Sequence, residues 1–275
     1  MPALNTIPPD KLYRLVGIAD GPMIVDVRRP DAFAADPRLL PGSVRRAHDS
    51  VADWAAELRG RSAVIVCRDG SLAHGVAAWL RHEGIAAETL EGGLAAWTQA
   101  GLPLIPEDKL PARDPGGRTI WVTRARPKVD RIACPWLIRR FVDPAAVFLF
   151  VPPREVPAVA EAFAAAPFDV EGVAWSHRGD LCTFDVMLAE LGLDAIPPLA
   201  RLAPIVRGAD TGRPDLAPQA AGLLAASLGL SRIYADDLEQ LEAGMLLYDA
   251  FYRWCRDAVE ETHDWVSHTP RRKGA

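Results

Sequence analysis

The sequence predicts an α/β protein of two domains: a parallel sheet with helices on both faces, followed by a mostly helical α+β unit. Three observations predict it. Short apolar runs alternate with helix-period segments in the N-terminal part, a proline- and glycine-rich stretch interrupts the chain between Pro103 and Arg118, and a long helical stripe closes the second part. Alternation of that kind is what a parallel sheet with crossover helices requires. With 275 residues, 49% hydrophobic and 24% charged, the chain can bury two ordinary cores, whereas one continuous core would be large.

Taken in order, Met23 to Val27 reads as a strand, Ser50 to Leu58 as a helix, Ala63 to Val66 as a buried strand, Ala73 to His82 as an amphipathic helix and Ala86 to Leu90 as a further strand. Pro103 to Arg118 then holds four prolines and a glycine pair. Proline removes N–H donors and restricts the residue before it, so neither helix nor sheet interior suits this stretch and it reads as a linker. The expected organisation is a first domain at 1–105, a linker at 106–118, a second domain at 119–265 and a flexible tail at 266–275 that includes Arg271-Arg272-Lys273.

The last helix, roughly Tyr234 to Val259, repeats apolar residues at Tyr234, Leu238, Leu241, Met245, Tyr248, Tyr252 and Cys255. This is a core-facing stripe, and Leu246, Leu247, Phe251 and Trp254 widen it, which predicts burial on more than one side. Glu242, Asp249, Arg253 and Arg256 form a separate polar stripe whose spacing suits ion pairs within the helix.

Composition bounds the function. The net charge is -5 and the isoelectric point about 5.7, so no global field draws the molecule onto nucleic acid or an anionic membrane, and any anion site must be local. The four cysteines, Cys67, Cys134, Cys182 and Cys255, show no C-x-x-C spacing, which points to reduced thiols rather than a zinc ribbon or a disulfide framework. The N-terminus lacks the basic-then-apolar pattern of a leader, and no segment approaches the roughly 18 apolar residues of a membrane span. A cytoplasmic protein without membrane attachment is expected. No helix-turn-helix pattern with a basic recognition helix is found, so nucleic acid is not an expected partner. The oligomeric state is left open.

Cys67 is the residue most suggestive of chemistry. It follows the strand Ala63 to Val66 and precedes Arg68-Asp69-Gly70-Ser71-Leu72 and the helix that begins near Ala73. At such a junction, backbone N–H groups of Arg68 through Ala73 can converge on the sulfur, favour the thiolate and hold an anion that it attacks. Gly70 would allow the loop to curl back through a positive φ. The alternative is an inert thiol at a strand end. Arg68 is either a lure for an anionic donor or a solvated arginine, and His74 either assists or has a structural role.

Several spaced motifs here resemble the rhodanese family. Ile24-Val25-Asp26-Val27-Arg28 with Asp31 and Phe33, Leu40-Pro41-Gly42-Ser43-Val44, Cys67-Arg68-Asp69-Gly70, and Glu91-Gly92-Gly93 with Trp97 together cover residues 5 to 105. The resemblance implies a rhodanese fold and a ping-pong sulfurtransferase. Cys67 would take the outer sulfur of a donor such as thiosulfate, rest as a persulfide and pass the sulfur to a thiol acceptor, with no cofactor required. Residues 68–73 would form the substrate-binding loop, supported by Asp26 and Arg28. One departure stands out: Leu72 occupies the position, five after the cysteine, where many active members carry a basic residue. Its loss would weaken thiosulfate recognition and leave persulfide chemistry intact, so another persulfide becomes an alternative donor.

From Arg118 onward the chain resembles the C-terminal domain of the chromate-resistance protein ChrB family. The strings are Trp121-Val122-Thr123-Arg124, Pro127 through Phe141, Ser176-His177-Arg178-Gly179, Ile205 through Thr211 and Ala217 through Leu224. The resemblance implies a link to chromate resistance, by sensing or by handling the oxyanion. Chromate is therefore a candidate ligand.

The residues themselves add candidates. Arg118, Arg124, Arg126, Lys128, Arg131, Arg139 and Arg140 form a basic stretch inside an acidic protein, and guanidinium groups suit tetrahedral oxyanions; Arg124 and Arg131 are the candidates taken forward, against a solvated helix face. Cys134 precedes Pro135, which places it near a helix start that would favour its thiolate, or else packs it as a buried thiol beside Trp136. Asp130, Cys134, His177 and Asp210 supply ligand types for a transition metal, although no pair has diagnostic spacing. Cys182, before Thr183-Phe184-Asp185 at a helix start, is a further possible ligand. The expected function is a rhodanese-type sulfurtransferase coupled to a chromate-resistance-associated domain that binds an oxyanion or a metal. The alternative is a chromate-responsive regulator or sensor with a non-catalytic rhodanese module.

Overall fold

The structure, a computed structural model, describes residues 5–261. The basic tail Arg271-Arg272-Lys273 lies outside the described residues. The N-terminal elements, in order, are β1 (Thr6–Ile7), α1 (Pro9–Tyr13), β2 (Met23–Asp26), α2 (Pro30–Ala35), β3 (Arg38–Leu39), β4 (Ser43–Arg45), α3 (Val51–Trp54), β5 (Ala63–Val66), α4 (Ala73–His82), β6 (Ala87–Leu90) and α5 (Gly93–Gln99). Five strands form a parallel sheet in the order β1-β6-β5-β2-β4, with Ile24 opposite Val64 and Ile65 opposite Thr89. The helix expected over 50–58 is a single α turn flanked by 3-10 turns at His48–Ser50 and Ala55–Leu58.

All four residues of β5 are buried, as the central strand of a sheet covered on both faces must be. Because side chains alternate along it, Ile65 joins a core with Trp54, Leu58, Val76 and Leu80 under α3 and α4, while Val64 and Val66 join Leu12, Leu94 and Trp97 under α1 and α5.

Past α5 the proline-rich stretch is irregular, apart from β7 (Ile105–Pro106), which pairs antiparallel with β3 away from the main sheet. Ile105 is buried, and the Trp97 indole donates to the Pro103 carbonyl, so the start of the stretch is fastened to the first domain.

The remaining elements are β8 (Ile120–Arg124), α6 (Asp130–Leu137), β9 (Val147–Val151), α7 (Val156–Phe163), β10 (Ala166–Pro167), α8 (Thr183–Glu190), α9 (Pro197–Asp210), α10 (Ala220–Ile233) and α11 (Asp237–Asp257). The three strands make a small parallel sheet in the order β10-β8-β9, so this part is mostly helical. Val122 packs under α7 on one face, and Trp121 and Phe148 face the helical core on the other.

The two parts share one hydrophobic core. After α6 a wider, π-helical turn at Ile138–Val142 pushes Phe141 toward the first domain. Its ring covers Gly17 so closely that a methyl group there would stand 2.2 Å from the ring. Trp136 and Tyr252 meet the same ring edge-on, with centroids 5.7 and 5.4 Å away, and the Gly42 N–H donates to the Phe141 carbonyl.

α11 departs from the expected pattern. Asp236 caps it by accepting from the N–H groups of Leu238 and Glu239, so it starts after Tyr234, which instead caps the end of α10. Leu241, Met245, Tyr248, Tyr252 and Cys255 are buried as expected, but Leu246 is 74% exposed and does not widen the stripe. Two members of the polar stripe reach across to another element. Glu242 pairs with Arg139, and Asp249 takes both the Arg140 guanidinium and the Trp136 indole N–H. The π-helical turn accounts for this, because it presents Arg139 and Arg140 to α11. Only Arg253, paired with Asp257, makes an i,i+4 bridge within the helix.

Candidate functional site

Cys67 stands at the end of β5, 2% exposed, at the inner edge of a cavity of about 390 Å³. Gly70 adopts φ +95°, and this curl brings its N–H to 3.2 Å from Sγ. The wall opposite is the segment after β2, with Arg28, Arg29 and Asp31. That segment is fixed by a buried pair: the Arg28 guanidinium donates to both Asp26 oxygens and to the carbonyls of Asp36 and Arg38. Asp26 and Arg28 therefore shape the far wall rather than the cysteine loop itself.

The near wall differs in detail from the expected anion cradle. The Ser71 N–H and hydroxyl both donate to Asp69 Oδ1, and Arg68 reaches Asp69 Oδ2 at 3.2 Å. The Ser71 donors, with Arg68, hold the Asp69 carboxyl down at about 2. Arg68 is thus engaged by its neighbour, and the Ser71 amide is directed away from the sulfur. Leu72 precedes α4, and Ala73, fully buried, begins it. His74 turns away toward Thr89. Arg29 was missed in the sequence; it lies exposed on the cavity wall and makes no ion pair among the described residues. Its signal was faint, a second basic residue beside Arg28.

The Glu91-Gly92-Gly93 motif finds its reason here. Leu94 and Ala95 donate their N–H groups to the carbonyls of Cys67 and Arg68. The start of α5 is thereby seated on the cysteine loop.

In the second part, loops and helix ends gather a different set. Asp130 opens α6 and is completely buried. Its Oδ2 accepts the N–H groups of Thr183 and Phe184, the first residues of α8, so one carboxylate oxygen serves two amides of that helix start. Its Oδ1 is buried without a hydrogen-bond partner. His177 Nε2 lies 3.6 Å from Asp130 Oδ2, 3.2 Å from Asp210 Oδ2 and 3.4 Å from Asp169 Oδ1, within ion-pair range of all three carboxylates. Burial, and then the neighbouring carboxylates Asp210 and Asp169, push the Asp130 carboxyl well above its usual range. Asp210 is raised by burial and by Asp169.

Three of the four ligand candidates thus come together, and Cys134 stays outside. α6 starts at Asp130, so Cys134 lies in the helix interior and not at its start; Pro135 is accommodated inside the helix. The thiol is fully buried, and burial, followed by the charge of Asp130, raises its pKa well above the ordinary range. Cys182 does occupy the start of α8, where it caps the helix with Asp185, and its thiol donates to that carboxylate.

The oxyanion candidates Arg124 and Arg131 both meet Asp169, at 3.0 and 3.2 Å. Asp169 was missed in the sequence. It lies outside every quoted string, and its one local sign, a left-handed φ of +51° that Asp tolerates, is conformational.

Residues 8–100 match the family described as the rhodanese-like domain, and residues 121–255 match the family described as ChrB, C-terminal domain. Among curated proteins, protein ChrB of Cupriavidus metallidurans is 40% identical over 148 residues, which cover 52% of this chain and 43% of that protein. The chain therefore spans less than half the length of that relative. A sulfurtransferase of Allochromatium vinosum is 26% identical over 104 residues, 37% of this chain and 95% of that protein. Among solved structures, a rhodanese-related protein from Thermoplasma volcanium aligns at 20% identity with a TM-score of 0.34, covering 38% of this chain and 100% of that one.

Proposed function

Because the chain joins a rhodanese-like domain to a ChrB C-terminal domain, we propose that it is a sulfurtransferase carrying sulfur as a persulfide on Cys67. The observation that supports this best is the placement of Sγ at a cavity edge with the Gly70 N–H directed at it. The Cys67 thiolate attacks the outer sulfur of a donor. With thiosulfate the donor S–S bond breaks, sulfite leaves with the bonding pair, and a Cys67 persulfide anion remains. An acceptor thiolate then attacks the outer sulfur, forming its own persulfide and regenerating the Cys67 thiolate. The Gly70 N–H stabilises the anionic sulfur at both stages.

Donor recognition falls to Arg29 across the cavity, since Leu72 carries no charge and Arg68 is held by Asp69. A thiol persulfide, which needs less anion recognition, suits this cavity as donor. Chromate enters through the second domain: an oxidising oxyanion consumes thiols, and a persulfide carrier fused to a chromate-associated domain fits a sulfur-repair or sensing role. The competing reading, a sensor with an inactive rhodanese module, draws on Leu72 and on the Ser71 amide being turned to Asp69.

The deciding experiment is intact-protein mass spectrometry after incubation with thiosulfate and, separately, with a low-molecular-weight persulfide. One added sulfur, removed by cyanide and absent in Cys67→Ser, is expected. No adduct from either donor would transfer the assignment to the sensor reading.

A further inference from the structure

We propose that Asp130, His177 and Asp210 form a centre for a divalent first-row transition ion, independent of the sulfur chemistry at Cys67. The three residues come from separated stretches of chain, yet each offers a ligand atom within 4.8 Å of the others. An ion with ligands at about 2.1 Å holds adjacent ligand atoms about 3.0–3.4 Å apart, for right-angled and tetrahedral arrangements respectively. His177 Nε2 stands 3.2 Å from Asp210 Oδ2 and 3.6 Å from Asp130 Oδ2, the oxygen that also takes the two α8 amides, close to that spacing.

A second observation points the same way. Asp130 is completely buried, and its Oδ1 has no partner in a protein that satisfies its Oδ2 with two helix-start amides. Burying a carboxylate beside a second carboxylate is costly unless a cation stands between them. Arg131, whose charge favours the Asp210 carboxylate, is itself tied to Asp169 at 3.2 Å, and among the described residues the basic group within 4 Å of both Asp130 and Asp210 is the half-exposed imidazole of His177.

Asp169 has a different part. Thr183 donates to its Oδ1, and Arg124 and Arg131 take its Oδ2, so its oxygens are already occupied. It buttresses the imbedded ligands as an outer partner, and Thr183 ties it to Asp130 through its own N–H. Two carboxylates and one imidazole favour manganese, iron or zinc over calcium or a thiolate-bound metal. Three protein ligands leave coordination positions for water or an anion, on the side where His177 borders a cavity with Arg124 and Ser176.

The test uses the full chain, stripped with chelator and then titrated with Mn²⁺, Fe²⁺ under anaerobic conditions, and Zn²⁺, with bound metal counted by elemental analysis. One equivalent per chain is expected, with affinity falling at least about 10-fold in His177→Ala, whose exposed side chain leaves the fold intact, and in Asp210→Asn. Cys67→Ser should retain the metal. Circular dichroism accompanies each variant. A folded wild type that binds none of the three ions, or a folded His177→Ala that binds with unchanged affinity, would overturn the centre. Loss of metal in Cys67→Ser would place the ion on the thiol and overturn it equally.

Discussion

Gly93 lies so close to the Cys67 carbonyl that a methyl group on it would stand 2.5 Å from that oxygen. Its φ of +59° would also be strained for any other residue. Gly93→Ala should therefore destabilise the protein by about 2–4 kcal/mol, through both clash and backbone strain. Because the displaced atoms belong to Cys67 and Arg68, persulfide formation should fall as well. Denaturant unfolding and sulfur-loading rates measured on the same sample check this, and an unchanged loading rate would separate α5 from the cysteine loop.

Charge on the cavity walls should set thiosulfate use. Leu72→Arg is expected to raise kcat/KM for thiosulfate about 10-fold, and Arg29→Ala to lower it about 3–10-fold, while turnover of an uncharged persulfide donor changes little. Steady-state kinetics with both donors decide the matter. No gain from the arginine at position 72 would show that charge is not what limits this loop.

Thiol chemistry should be confined to one cysteine. Burial raises the pKa of Cys134 and Cys182 strongly and that of Cys255 to about 11, so none of the three forms much thiolate near neutrality. Brief treatment of native protein with iodoacetamide at pH 8, followed by peptide mapping, is expected to label Cys67 first. Comparable labelling of Cys134 would contradict the burial described.

Asp249 joins α11 to the start of the π-helical turn through Arg140 and Trp136. Asp249→Ala leaves a largely buried guanidinium and an indole N–H without their acceptor, a loss of about 2–4 kcal/mol. Asp249→Asn should recover part of it, since an amide oxygen can still accept. Chemical denaturation of the two variants, with a double-mutant cycle against Arg140→Ala, measures the coupling. A cycle energy near zero would remove the bridge from the account.

What could be read from the chain alone was local. β5, α4 and the positive φ at Gly70 follow from periodicity and glycine, whose effects reach only a few residues. The metal candidates Asp130, His177 and Asp210 were visible as residue types, but their meeting depends on how α6, α9 and the loop before α8 pack. Asp169 carries no pattern in the sequence and Arg29 only its place beside Arg28; each matters through what folds against it. The stripe on α11 misled for the same reason. Spacing suggests intrahelical pairs, yet a partner on a neighbouring turn satisfies Asp249 with better geometry. Likewise Pro135 suggested a helix start at Cys134, whereas the helix begins at Asp130 and holds the proline in its interior, before the π-helical turn.

The ring of Phe141 resting on Gly17 has a calorimetric consequence. A side chain from the C-terminal half that forms part of the packing of the N-terminal half makes the two melt together, as one endotherm instead of two. An ion bound between α6 and α9 would then raise the melting temperature of the sulfur-carrying sheet without touching it, by mass action on the shared transition. Heat resistance of Cys67's surroundings would then become a reporter of occupancy at a site built by the C-terminal part of the chain.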